Sequence, residues 1–134
     1  MEHRSALVAV AAAQLAAQLG GHVVALRRRR PFEVPFLSGS PEHLVRDWLW
    51  FGTAYSGPPY LLGPQMWAVA RLLRGPDERA RRVLRSIGTG LTLGYLSERY
   101  VRKRVRPGGF DAVETPIVVT GWGCAVAMAV LARR

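Results

Sequence analysis

Gln14, Gln18 and His22 recur every fourth residue in a stretch that is otherwise alanine, leucine, valine and glycine. At 100° per residue each step of four advances 40°, so on a helix the two amides and the imidazole fall within about 80° of one face. Polar groups in an apolar helix turn inward to find partners. The pattern therefore points to hydrogen bonding between helices, with a site for a ligand or a proton as the sharper alternative. Four further positions join these candidates. Tyr55 and Gln65 bracket a Pro/Gly-interrupted stretch, where backbone broken at membrane depth must be packed in protein or line a cavity. Glu98, in SERYVRKR, is expected to form an ion pair or headgroup contact beside Arg99 or, if drawn inward, to offer a carboxylate for acid/base work. Glu114 precedes an apolar run and suits the positive end of a helix.

Other chemistry has no support in the sequence. The three histidines, His3, His22 and His43, and the single Cys124 show no paired ligand spacing, so no metal site is expected and no disulfide can form within the chain. GTGLTLG, residues 88–94, has the wrong spacing for a nucleotide loop and follows an arginine-rich segment rather than a strand. GxSxG and GKS/GKT motifs are absent. No cofactor is expected, and no residue set announces an enzyme, so catalysis stays open.

The elements that must carry these residues can be placed from where charge is missing. Residues 5–26, 48–70 and 115–132 are uncharged runs of 22, 23 and 18 residues, and a helix of 22 residues reaches roughly 33 Å, enough to cross a bilayer. A shorter uncharged run, 86–97, lies inside a longer helical pattern. Gly75-Pro76 with Asp77 and Glu78 can start that helix and Pro107-Gly108-Gly109 can stop it, which predicts one helix over about 76–106. Ser40-Pro41-Glu42 is another helix start, but Gly57-Pro58-Pro59 and Gly63-Pro64 interrupt the apolar run beyond it. The second segment is thus a broken span, or an interfacial helix over about 41–55 and a shorter membrane helix. Thr115 and Pro116 read as the cap and first turn of the last helix. Gly121, Ala125 and Ala129, and likewise Gly90 and Gly94, have the four-residue spacing that lets helices approach closely. Trp48, Trp50, Tyr55, Tyr60, Tyr95 and Tyr100 read as interfacial aromatics, with Trp67 deeper.

Charge supplies the partner. The chain has 134 residues and a net charge of +10, with 19 basic side chains. Mean hydropathy near zero hides their segregation into blocks. With four crossings the blocks divide nine against ten between the two sides, a tie under the positive-inside rule. Arg27 to Arg30 come after an apolar run too long for a cleavable signal, so HVVALRRRR reads as a membrane boundary.

The expectation is an all-α, small integral membrane protein: a single domain over 1–134, a bundle of about four transmembrane helices with spans near 5–26, 48–73, 82–101 and 115–132. Its expected partners are anionic lipid headgroups and a membrane protein or further copies of itself, with nucleic acid set aside because three long uncharged runs would have to be buried in a soluble fold. Absent asparagine and abundant arginine and alanine suggest a GC-rich genome, hence a multi-pass protein of a bacterial inner membrane. A non-catalytic subunit, assembly factor or binder of a hydrophobic molecule is the leading function. The alternative is a membrane-embedded enzyme or transporter for a lipophilic substrate, with His22, Glu98 and Glu114 converging.

Overall fold

The computed structural model describes residues 2–28, 33–34, 37–38, 42, 46 and 58–133. Tyr55 and the proposed interfacial helix over 41–55 lie outside them, save Glu42 and Arg46. The described chain is all-α, as expected, apart from one small pairing. Helices α1 (Glu2–Arg27), α2 (Leu62–Arg74), α3 (Glu78–Ser97), α4 (Arg99–Val105) and α5 (Glu114–Leu131) carry nearly all of it, and a 3₁₀ turn, Pro59–Leu61, leads into α2. The exception, which the sequence pattern did not reveal, is a two-residue antiparallel ladder pairing Glu33 with Ser38 and Val34 with Leu37.

Local chemistry sets most of the helix ends. In α2, Pro64 falls in the first turn, where its missing N–H goes unneeded, and Gly75-Pro76 ends the helix. Asp77 then caps α3, its carboxylate accepting from the Ala80 N–H at 2.9 Å and from Arg71 Nε at 2.8 Å. The sequence reading of this turn holds.

Two helix boundaries differ from expectation. The single helix over about 76–106 is broken: Glu98 is extended, with ψ 126°, between α3 and α4. Thr92 and Ser97 turn their hydroxyls back onto the carbonyls of Gly88 and Leu93, at 2.7 and 2.9 Å, a competition that weakens and bends helices. Gly88, Gly90 and Gly94 lower the helix propensity of the same stretch. Past the break Val101 is buried while Arg102 and Lys103 face outward, a division that a straight continuation of α3 would not provide. The second correction concerns α5, which begins at Glu114 and is capped by Asp111 rather than Thr115. Asp111 Oδ1 accepts from the N–H groups of Val113 and Glu114 at 2.9 and 2.8 Å, and Thr115 Oγ1 accepts from the Asp111 N–H at 2.9 Å.

Four helices close a ring: α1 packs on α5 and α2, and α3 packs on α5 and α2, with α4 lying against the start of α5. Contacts along α5 fix the directions of its neighbours. Arg81 reaches the Leu131 carbonyl, Gly88 meets Ala125 and Ala129, and Tyr95 meets Gly121, so α3 and α5 run antiparallel. Gly20 meets Ile117 and Arg28 meets Glu114, so α1 and α5 do too. With 13 residues, about 20 Å, α2 is a half-length helix that starts beside the middle of α1.

Close approach depends on small residues, though not on all those the spacing suggested. Gly121, Ala125 and Ala129 are buried, but Ala125 and Ala129 meet Gly88, and Gly121 meets Tyr95 and Ala17. Gly90 and Gly94 face outward with nothing near them. Tyr95 is buried against Gly121 and is not an interfacial aromatic, whereas Tyr60 and Trp67 are exposed.

Among the described residues, two helices are long and apolar enough to cross a membrane, α1 over His3–Arg27 and α5 over Glu114–Leu131. α2 is too short. α3 carries Arg79, Arg81, Arg82 and Arg85 in its first two turns.

Candidate functional site

Buried polar side chains gather in two places. The first is where α2 begins beside the middle of α1. Gln14, Gln18 and Gln65 are all fully buried. Gln18 Nε2 donates to Gln14 Oε1 at 2.6 Å and to Gln65 Oε1 at 2.8 Å; Gln65 Nε2 donates to Gln14 Oε1 at 2.8 Å and to the Ala11 carbonyl at 3.2 Å. Helical spacing puts Gln14 and Gln18 on one face, and the break before α2 lets Gln65, on its first turn, meet both. Each amide's orientation is forced by its neighbours, because turning any one would set donor against donor or acceptor against acceptor. Gln14 Nε2 and Gln18 Oε1 have no hydrogen-bond partner among the described residues.

The second gathering is where α1 ends, α5 begins and α4 lies across them. Glu114 is fully buried, and its Oε2 accepts from Arg28 Nη1 at 2.6 Å and Arg104 Nη2 at 3.3 Å. Arg28 Nη1 also reaches both oxygens of Asp111 at 3.2 Å, and Arg104 Nη1 donates to the Gly109 carbonyl at 3.3 Å. The N–H groups of Glu114 and Val113 hold the Asp111 carboxyl down at about 2, with Arg28 adding to them against a smaller opposing effect of burial. The hydrogen bond to Glu114, above all, raises the Arg28 guanidinium further above its ordinary value.

Six of the seven sequence candidates are described, and all six are buried: Gln14, Gln18, His22, Gln65, Glu98 and Glu114. Three of them form the amide cluster. Past the Ala17–Gly121–Tyr95 layer, His22 on α1, Glu98 after α3 and Glu114 on α5 lie in the half of the bundle nearest α4. Sequence reasoning missed Arg28, Arg104 and Asp111. The Asp111-x-x-Glu114 spacing carries a helix-cap signal that would have found Asp111. Arg104 is one of several basic residues in RYVRKRVR and nothing local marks it.

Among the described residues no three His, Cys, Asp or Glu side chains are grouped to hold a metal ion. The chain matches no protein-family model, no curated protein and no solved structure.

Proposed function

We propose that the chain is an integral membrane protein without catalysis of its own, a helical subunit or assembly element whose buried polar groups join helices. What carries this reading is an inverted distribution of polarity. On α1 the amides and His22 face inward while Leu19 and Val23 face outward, and on α5 Val119, Trp122 and Val130 face outward. Only 39% of the apolar window of α1 and 33% of that of α5 is buried inside the bundle. A core helix of a water-soluble domain is mostly buried, with its polar stripe facing solvent. Here the stripe is turned inward and small residues form the helix contacts, as lipid-facing bundles require.

The supporting geometry is economical. The amide cluster joins α1 to α2, and Glu114 joins α1, α4 and α5 through Arg28 and Arg104. In this reading α1 and α5 cross fully, the arginines of α3 snorkel toward one interface, and α2 is a half-span entered through the Pro/Gly break. The membrane is a bacterial inner membrane and the chain crosses it several times.

Alkaline carbonate extraction of membranes from expressing cells tests the location. The protein is expected to stay in the pellet, and release into the supernatant overturns the reading. Native electrophoresis of a mild-detergent extract tests the role: migration with a larger assembly or as a homo-oligomer supports a subunit, and a monomer opposes it. A second reading, an enzyme or transporter for a lipophilic substrate, draws on the burial of His22, Glu98 and Glu114 in one half of the bundle. It requires that alanine at these three positions remove function while leaving protein levels unchanged.

A further inference from the structure

Among the described side chains, α4 and the connector that follows it divide their cations into two sets. Arg104 is turned in to Glu114 and Gly109, whereas Arg102, Lys103 and Arg106 face outward and form no ion pair among the described residues. Beside them stand exposed apolar side chains: Val105, Val113 and Phe110, the last 74% exposed, more than any other large hydrophobic residue described.

Phe110 does not stand out because the connector is loose. Gly108 takes φ +81°, a conformation that favours glycine, and the Gly109 N–H donates to the Arg106 carbonyl at 3.0 Å. A Cβ at Gly109 would collide with the Lys103 carbonyl. Arg104 holds the Gly109 carbonyl from one side and the Asp111 cap fixes the chain from the other. A clamped turn that presents a phenyl ring and two valines among three outward cations suits an interface whose outer layer is anionic and whose inner layer is hydrocarbon. Its position agrees, since it lies where α1 ends and α5 begins, the two helices long enough to cross. The opposite end of the bundle is also basic, but its exposed large apolar side chains among the described residues, Leu73 and Val130, lie on helices and not on a clamped turn.

We propose that residues 101–113 form an interfacial anchor for anionic phospholipid, with Phe110, Val105 and Val113 inserted at the headgroup boundary and Arg102, Lys103 and Arg106 on the phosphates. The inference rests on the membrane reading above. A cation near an anionic leaflet favours association about fivefold, so the three together supply roughly a hundredfold.

The test places a nitroxide at Phe110→Cys in full-length Cys124→Ser protein, reconstituted in vesicles of phosphatidylcholine alone or with one quarter phosphatidylglycerol. Collision rates with oxygen and with a water-soluble nickel chelate are measured. In the anionic vesicles the label should sit about 5–10 Å into the boundary, rich in oxygen and poor in nickel. It should move toward water in pure phosphatidylcholine, or when R102Q, K103Q and R106Q are combined. Nickel access equal to that of free label in both lipids overturns the anchor. So does a label unmoved by lipid charge while the triple variant instead abolishes binding of a duplex oligonucleotide. Labels at Leu19→Cys and Val119→Cys separate the two failures: if these are in hydrocarbon and the 110 label is in water, the anchor alone fails. If they too are in water, the membrane reading has failed.

Discussion

Gly88 of α3 lies against the backbone of Ala129 in α5, so closely that a methyl group added to it would come within 2.8 Å of the Ala129 nitrogen and 2.9 Å of the Ala125 carbonyl oxygen. Both obstacles are main chain and cannot rotate away. The contact sets the separation of the two helices, and with it the depth at which Tyr95 reaches Gly121.

Gly88→Val should therefore force α3 and α5 apart, costing about 1–3 kcal/mol as other overpacked interfaces do. Gly90→Ala and Gly94→Ala meet nothing within 4 Å and should be neutral or stabilising by roughly 0.5–1 kcal/mol, the usual gain of alanine over glycine in a helix. Denaturation in mixed micelles, followed by circular dichroism, distinguishes the two outcomes. Equal effects at all three positions would show that Gly88 does not set the spacing.

Removing the carboxylate of Glu114 leaves Arg104, only 12% exposed at its side chain, without the acid it faces. Glu114→Ala should cost about 3 kcal/mol, the usual penalty for breaking one side of a buried pair. The double variant Glu114→Leu, Arg104→Met removes both charges and should recover much of that loss. Arg28→Ala should be milder, because Arg28 is 38% exposed. The same unfolding assay reads all three, and a double variant worse than Glu114→Ala would contradict the assignment.

Asp111 gives a pH dependence with a definite sign. Its carboxyl falls from an ordinary 3.8 in the unfolded chain to about 2 when folded, so its contribution is complete above about pH 4 and is lost as the pH falls toward 2. The resistance of the protein to denaturant should decline across that window, and Asp111→Asn should flatten the decline. Asp77 is lowered too, first by the Ala80 N–H and then by Arg71, so Asp77→Asn should remove a separate part of the acid response. A decline unchanged in Asp111→Asn would assign the acid response elsewhere.

The parts of this fold legible in the sequence were those with local causes. Uncharged runs marked α1 and α5, Asp77 marked the start of α3, and the spacing of Gln14 and Gln18 placed them on one inward face. Choices made by tertiary partners were not legible. Gly88, Gly90 and Gly94 look equivalent in the chain, and only the approach of α5 singles out Gly88. Thr115 outranks Asp111 as a cap only if the helix starts at Pro116, two residues later than it does. The break at Glu98 depends on hydroxyl bonds four residues back and on Val101 finding the core. For the candidate site, Gln14, Gln18 and Gln65 were all named from sequence, but their meeting required α2 to begin beside the middle of α1.

That meeting makes the last prediction depend on the number of amides removed. Gln65→Leu leaves both N–H groups of Gln18 with Gln14 Oε1 as their one described acceptor, and deprives Gln14 of a donor, in a site closed to solvent. Interhelical hydrogen bonds in membranes are each worth about 0.6–2 kcal/mol, so this single change should cost ~1–2 kcal/mol and loosen α2 from α1. Replacing all three, Gln14→Leu, Gln18→Leu and Gln65→Leu, removes the stranded groups with the bonds and should be less destabilising than three single costs added together. Hydrogen exchange of the α2 amides, read beside the unfolding midpoint, separates local loosening from global loss. Strictly additive costs would show that the three amides act alone rather than as one network.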